Sequence, residues 1–210
     1  FAAIGSKGSA GTKLLSVSGD CSSPGVYEVP FGIKLRDLLT MVGAEDAQAV
    51  QIGGPAGSMV SRAEFERIIC YDDLATGGSV MTFGPNRNIL KIAHKFLDFF
   101  VDESCGYCTP CRVGNVLLRR KLGDLLEGRG QPGDVEYLEE LASTMKATSR
   151  CGLGQTSANP VLTTIQAFRP VYQVLLRTRP DEPLLPSFDI RSALHESEKL
   201  AGRLSTVFTS

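Results

Sequence analysis

Three cysteines fall within seven residues, Cys105-Gly106-Tyr107-Cys108-Thr109-Pro110-Cys111, and a fourth stands in Ser149-Arg150-Cys151-Gly152-Leu153-Gly154. Thiolates spaced by two residues can wrap one face of a cuboidal iron–sulfur cluster from a single loop, with a distant cysteine completing the set. The 39 residues at positions 112–150 separate Cys111 from Cys151. A pair of antiparallel helices in that interval would return the chain close to where it left. The spacing therefore points to Cys105, Cys108, Cys111 and Cys151 as the ligands of one cluster. Two alternatives stay open on spacing alone. One is a four-cysteine zinc site, which more often uses two separated C-x2-C pairs; the other is a set of redox-active thiols.

The residues around the cysteines suit a buried anionic centre. Gly106, Gly152 and Gly154 are expected to let backbone N–H groups approach the sulfurs. Arg112 follows one cysteine and Arg150 precedes another, so both are expected to supply positive charge. Asp102 and Glu103 precede the cysteine loop and read as locally bonded or solvated. The remaining Cys21 and Cys70 read as structural thiols, since free cysteines pack as small apolar residues. His94 and His195 have no metal-ligand partner at helical spacing and read as ordinary surface histidines. Gly53-Gly54-Pro55-Ala56-Gly57 lacks both the G-x-G-x-x-G spacing and a following Lys-Ser/Thr pair, so it reads as a turn and not a phosphate loop.

Two parts joined near residues 83–88 must position these groups. In the first, Lys13-Leu14-Leu15-Ser16-Val17-Ser18 and Val26-Tyr27-Glu28-Val29 read as paired strands across the turn signals Gly19-Asp20 and Pro24-Gly25. Residues 34–42 carry apolar side chains at 35, 38, 39 and 42, an amphipathic helix ended by Gly43. Ala49-Val50-Gln51-Ile52 and Ser79-Val80-Met81-Thr82-Phe83 read as further strands, giving a small sheet with a helix on one face in the style of a β-grasp. The second part is helical. Asn88 is an N-cap candidate for a helix with Ile89, Ile92, Ala93, Phe96, Leu97 and Phe100 on one face. Residues 116–126 predict a second helix, Asp134 caps a third bearing Val135, Leu138, Leu141 or Ala142, and Met145, and Pro160 opens a fourth that Pro170 interrupts. Residues 179–186 read as an extended linker and 189–204 as a tail helix. The expected fold class is thus α+β, a β-grasp-like region over 1–83, an all-α four-helix iron–sulfur region over 84–178, and a tail over 179–210.

Composition narrows the function classes. The 210 residues are 42% hydrophobic and 21% charged, with a formal net charge of −1. That is ordinary for a globular chain and argues against a nucleic-acid partner. No apolar run approaches the roughly 20 residues of a membrane span. The start, Phe1-Ala2-Ala3-Ile4-Gly5, has no basic lead or apolar stretch of signal-peptide length; lacking a starting methionine, it reads as a fragment or processed form. Six cysteines without an export signal fit a reducing compartment and metal chemistry.

The motifs also carry a resemblance. Glu103-Ser104-Cys105-Gly106-Tyr107-Cys108-Thr109-Pro110-Cys111-Arg112-Val113-Gly114-Asn115 resembles the cluster loop of the flavoprotein subunits of NADH dehydrogenases, and residues 149–156 resemble the loop that brings their fourth cysteine. Residues 15–21 and 24–28 are similar to the soluble-ligand-binding β-grasp domain of the same subunits. Within the family, the Gly19-Asp20-Cys21 turn, the Thr148-Ser149-Arg150-Cys151 run and Leu184-Leu185-Pro186-Ser187-Phe188-Asp189 resemble the diaphorase α subunit of cytoplasmic NAD-reducing nickel–iron hydrogenases, with complex I and formate dehydrogenase counterparts as near relatives. The resemblance implies an oxidoreductase subunit whose 4Fe–4S cluster, on the four cysteines named, exchanges electrons with FMN and NAD(H). Those two cofactors belong to an N-terminal domain that this sequence lacks, so no flavin, nucleotide or catalytic residue carries over. Implied partners are a smaller iron–sulfur diaphorase subunit and the hydrogenase subunits, in the cytoplasm and without a membrane span.

Overall fold

Alternating side chains build the first element. In β3 (Thr12–Gly19), Leu15 and Val17 are buried while Leu14 and Ser16 face outward, and β4 (Gly25–Pro30) pairs antiparallel with it, Leu15 opposite Tyr27. A short hairpin, β1 (Gly5–Ser6) with β2 (Ser9–Ala10), precedes them. Helix α1 (Leu35–Val42) buries Leu35, Leu38, Leu39 and Val42, and Gly43 closes it in the left-handed conformation at φ 65°. That is the stop expected from a glycine one residue past the apolar face. Strand β5 (Ala49–Ile52) is buried along its whole length, β6 (Ser58–Ser61) pairs with it antiparallel, and a 3-10 turn (Arg62–Glu64) follows. Strand β7 (Ser79–Phe83) runs parallel to β3 and antiparallel to β5, so the sheet order is β4-β3-β7-β5-β6. The glycine-rich segment between β5 and β6 is a turn, as expected: Gln51 Nε2 donates to the Gly54 carbonyl at 2.6 Å and Asn159 Nδ2 to the Ala56 carbonyl at 2.6 Å.

Five helices follow up to residue 176. Helix α2 (Ile89–Glu103) is capped by Asn88, whose side chain accepts from the Lys91 N–H at 3.0 Å, and it buries Ile89, Leu90, Ala93, Leu97 and Phe100. Helix α3 spans Thr109–Leu126, α4 Asp134–Thr148, α5 Gly152–Thr156 and α6 Asn159–Val174. Two boundaries and the helix count differ from the sequence expectation. Helix α3 begins seven residues before position 116, at Thr109, with Pro110 in its first turn, because proline there gives up an N–H that has no intrahelical acceptor anyway. Gly133 and not Asp134 is the N-cap of α4; Asp134 is its first residue, and its carboxylate accepts from the Gln131 N–H at 2.8 Å and pairs with Lys121 at 2.9 Å. Five helices, one of them the five-residue α5, stand where four were expected. Pro170 does kink α6, with Phe168 off helical geometry at φ −135°, since proline removes an N–H and clashes with the turn before it.

The structure, a computed structural model, describes residues 1–176, 198–199 and 201–202. The expected linker, Leu184 to Asp189, His195 and most of the tail helix lie outside the described residues. The described residues up to 176 form one compact unit. Its cores are α1 against the sheet (Leu15, Val17, Val29, Leu38, Val50, Val80), and the helical interior (Leu97, Leu118, Leu122, Leu138, Met145, Ile165, Tyr172). A third cluster, Met59, Phe83 and Ile89 with Met81, Phe96 and Phe168, joins the other sheet face to α2 and α6. No helix among the described residues is long and apolar enough to cross a membrane.

Candidate metal centre

One buried stripe on α3 sets the geometry. Cys111, Asn115, Leu118, Leu122 and Leu125 recur at helical spacing and all face inward. Cys111 thus lies inside a helix, not in a free loop as the spacing suggested, and is 5% exposed. Cys108 is the N-cap of α3 and Cys151 the N-cap of α5. Cys105 and Cys151 are exposed and Cys108 is half-buried.

Several contacts bring the two cysteine segments together. The Cys108 thiol is held below its ordinary pKa, first by the backbone N–H of Arg150, then by that of Cys111, with the Arg150 charge a smaller contribution; burial opposes them. The residue beside Cys151 therefore donates to Cys108. Gly154 supplies a second contact. A Cβ there would lie 3.1 Å from the Cys111 Cβ and 2.6 Å from the Ser149 Cβ, so only a residue without a side chain lets α5 sit against α3. Helix α4 reaches the same place because α3 has Gly114 where a Cβ would lie 2.6 Å from Met145 Cγ. Across the front of the site, the Arg150 guanidinium stacks 5.2 Å from the Tyr107 ring centroid, and Arg112 donates to the Gly106 carbonyl at 2.6 Å. Arg112 thereby clamps the loop, and Arg150 acts on Cys108. Of the expected glycines, Gly154 is closely packed and Gly106 takes a left-handed φ of 73°, whereas a Cβ at Gly152 would have open space among the described residues.

Sequence reasoning missed Ser104, Asn115 and Ser149. Asn115 Nδ2 lies 3.0 Å from the Cys111 carbonyl and 3.4 Å from its sulfur, and Ser104 Oγ is 3.3 Å from that sulfur. Ser149 is 5% exposed, and its Oγ has no hydrogen-bond partner among the described residues. A signal for Asn115 was available, since a polar residue one turn after a cysteine interrupts a leucine stripe. Asp102 and Glu103 are exposed, His94 lies 3.6 Å from Asp98, Cys70 is buried and Cys21 is half-buried against the sheet core. No cysteine lines the groove of about 600 Å³ that Ser58, Lys146, Asn159 and Arg169 help to form.

Among the described residues no three His, Cys, Asp or Glu side chains converge as the ligands of a single ion do. In a cubane each thiolate binds a different iron, and the donor set fits such a group. All four candidates are soft thiol donors. N–H groups already converge on one of them, and the unpaired Ser149 hydroxyl is a donor held two residues before another.

Comparison with known proteins agrees with this chemistry. The family described as "NADH-ubiquinone oxidoreductase-F iron-sulfur binding region" matches residues 91–174. The chain is 48% identical over 208 residues to the NAD-reducing hydrogenase HoxS subunit alpha of Cupriavidus necator, covering 99% of this chain and 34% of that protein. It is 32% identical over 183 residues to an NADH-quinone oxidoreductase subunit of Streptomyces coelicolor, covering 82% of this chain and 41% of that one. A crystal structure of an NAD+-reducing nickel–iron hydrogenase in its H2-reduced state superposes with a TM-score of 0.83 at 34% identity, covering 98% of this chain and 36% of the other. The chain spans about a third of the length of the first relatives it matches.

Proposed function

Residues 91–174 belong to the NADH-ubiquinone oxidoreductase-F iron–sulfur binding region family, and from that premise we propose that Cys105, Cys108, Cys111 and Cys151 hold one 4Fe–4S cluster through which the chain relays electrons. The observation that carries the reading is the meeting of the two cysteine segments, with the Arg150 N–H on Cys108 and Gly154 against Cys111. When bound, such a cluster supplies one-electron transfer. The residues of this chain then have defined tasks. Cys108 and Cys151 present thiolates at helix starts, where unpaired N–H groups favour negative charge. Cys111 is fixed in the core by α3, and Tyr107 with Arg150 covers the front.

The proposal extends to the assembly. The chain acts as the iron–sulfur portion of an NAD(H)-linked oxidoreductase, with FMN and NAD(H) in the part of the polypeptide that its longer relatives contain. An NAD-reducing hydrogenase is the favoured setting, because identity to the hydrogenase relative is 48% against 32% for the quinone oxidoreductase relative. Its partners there are a smaller iron–sulfur diaphorase subunit and the hydrogenase subunits, in the cytoplasm. Division into a β-grasp-like region (1–83), a helical cluster-binding region (84–178) and a tail (179–210) belongs to the same reading. Supporting it, the first and last strands of the five-stranded sheet run parallel at its centre with α1 packed on one face. The test is iron and acid-labile sulfide content of the anaerobically purified protein, with low-temperature EPR after dithionite. About four irons per chain, falling in Cys151→Ser together with the reduced signal, is the expected result. Zinc in place of iron overturns it.

A further inference from the structure

The buried stripe of α3 carries leucine at Leu118, Leu122 and Leu125, yet its second position is Asn115, 0% exposed. Side chains on a helix lean toward its N-terminus, so a residue one turn on reaches back over its i−4 neighbour. Asn115 does so, with Nδ2 3.0 Å from the Cys111 carbonyl and 3.4 Å from the Cys111 sulfur. The carbonyl accepts only a donor, which fixes the amide with its nitrogen toward the sulfur. The other end of the amide is costly, because Oδ1 is buried with no partner among the described residues. An unpaired buried acceptor is destabilising, and leucine would avoid it. From the opposite side, Ser104 Oγ accepts from the Gly106 N–H at 3.3 Å and lies 3.3 Å from the same sulfur. That bond uses one of the two hydroxyl lone pairs and leaves the proton for the sulfur, which as a thiolate is purely an acceptor.

We propose that Asn115 and Ser104 set the reduction potential at this centre by donating hydrogen bonds to the Cys111 sulfur. The inference rests on the cluster reading above. A reduced cluster carries one more negative charge than an oxidised one, and donors to its sulfurs stabilise the reduced form more, raising the potential. Both donors act on a buried sulfur, and Asn115 is itself 0% exposed, so water does not take its place when it is removed.

The experiment is an EPR-monitored redox titration of the full chain, purified anaerobically in the complex it forms, following the signal that Cys151→Ser removes. Wild type is compared with Asn115→Leu, Ser104→Ala and Ser104→Thr, each checked for iron and labile sulfide. The expected result is unchanged loading and a lower potential in Asn115→Leu and Ser104→Ala. At a fixed ambient potential the ratio of reduced to oxidised centre falls about tenfold, roughly 59 mV for a one-electron couple. Ser104→Thr, which keeps the hydroxyl, stays at the wild-type value. If Asn115→Leu fails to load, the two Ser104 variants carry the comparison. Loaded variants that titrate with wild type overturn the inference and leave the cluster reading intact. Wild-type protein without iron and labile sulfide overturns the reading itself, and this inference with it.

Discussion

Removing the Thr164 hydroxyl should destabilise the helical core more than removing the Tyr172 hydroxyl that it touches. Both residues are 0% exposed, and their oxygens are 2.6 Å apart. The direction of the bond follows from the donor count. The single Thr164 proton already serves the Pro160 carbonyl at 2.5 Å and the Val161 carbonyl at 3.1 Å, so Tyr172 donates to Thr164. Burial pushes the Tyr172 phenol well above its ordinary pKa, with the Thr164 bond a smaller opposing effect, so its proton is in place to be donated. Thr164→Val therefore strands a buried O–H, which costs about 1–3 kcal/mol. Tyr172→Phe removes the stranded group along with the bond, and Thr164 keeps its carbonyl acceptors; the cost is about 0.5–1.5 kcal/mol. Since Thr164→Val leaves nothing for a phenylalanine to satisfy, the double variant should resemble Tyr172→Phe alone, a coupling of about 1 kcal/mol or more. Thermal or urea unfolding of the four proteins measures this, at about 2–4 °C per kcal/mol for a chain of this size. Additive losses, or a Tyr172→Phe variant less stable than Thr164→Val, would refute the assigned direction.

Two further outcomes follow from other contacts. Asp20 accepts from Arg87 and from the Gly84 N–H, and these bonds, Arg87 first, hold its carboxyl at about 2 against 3.8. A depressed folded-state pKa stabilises above the unfolded value, so the contribution is whole above about pH 4 and lost as pH falls toward 2. With Arg87 largely exposed, solvent screening limits it to about 1 kcal/mol. Asn at position 20 should cost that much at pH 7, and the gap between the urea midpoints of variant and wild type should close below pH 4. Gly154→Ala should lower iron content, because its Cβ would stand 2.6 Å from Ser149 Cβ and 3.1 Å from Cys111 Cβ. Both are Cβ atoms bonded directly to the backbone, which cannot swing aside as the end of a flexible side chain would, and overpacking of this kind costs about 1–3 kcal/mol; full loading in metal analysis would count against the close approach.

Much of the fold was legible where one residue pattern had one structural meaning. The alternation of β3, the apolar face of α1 stopped by Gly43, the Asn88 cap of α2 and the break at Pro170 all appear as expected. Elements that depend on a partner were hidden. Strand β6, Ser58-Met59-Val60-Ser61, is too short to show a period and exists through its pairing with β5. The start of α3 was obscured because its buried positions are Cys111, Gly114 and Asn115, none of which reads as an apolar stripe. Pro110 at the helix start was the available signal. Helix α5 has five residues, fewer than two turns, so no pattern could announce it. The four cysteines stood out as candidate donors by type and spacing. That Arg150 would meet Cys108 and Gly154 would meet Cys111 required the third dimension.

The same packing explains why the candidate ligands differ so much in exposure. Helices α3 and α4 lie close because Gly114 admits Met145, and below that contact Leu118, Leu122, Leu138 and Ala142 fill one core. The upper end of α3 is therefore held by the helical interior, and Cys111 with it. The other three candidates lie around that anchor: Cys108 at the start of the same helix, Cys105 beside Ser104 in the segment before it, and Cys151 at the start of a helix packed through Gly154. Cys111 is thus fixed on a core helix, and the other three candidates stand on the segments around it. Hydrogen bonds to a sulfur act most strongly where water is excluded, so on the proposed reading Asn115 and Ser104 would act on a bound cluster through Cys111, the candidate that the helical core itself buries.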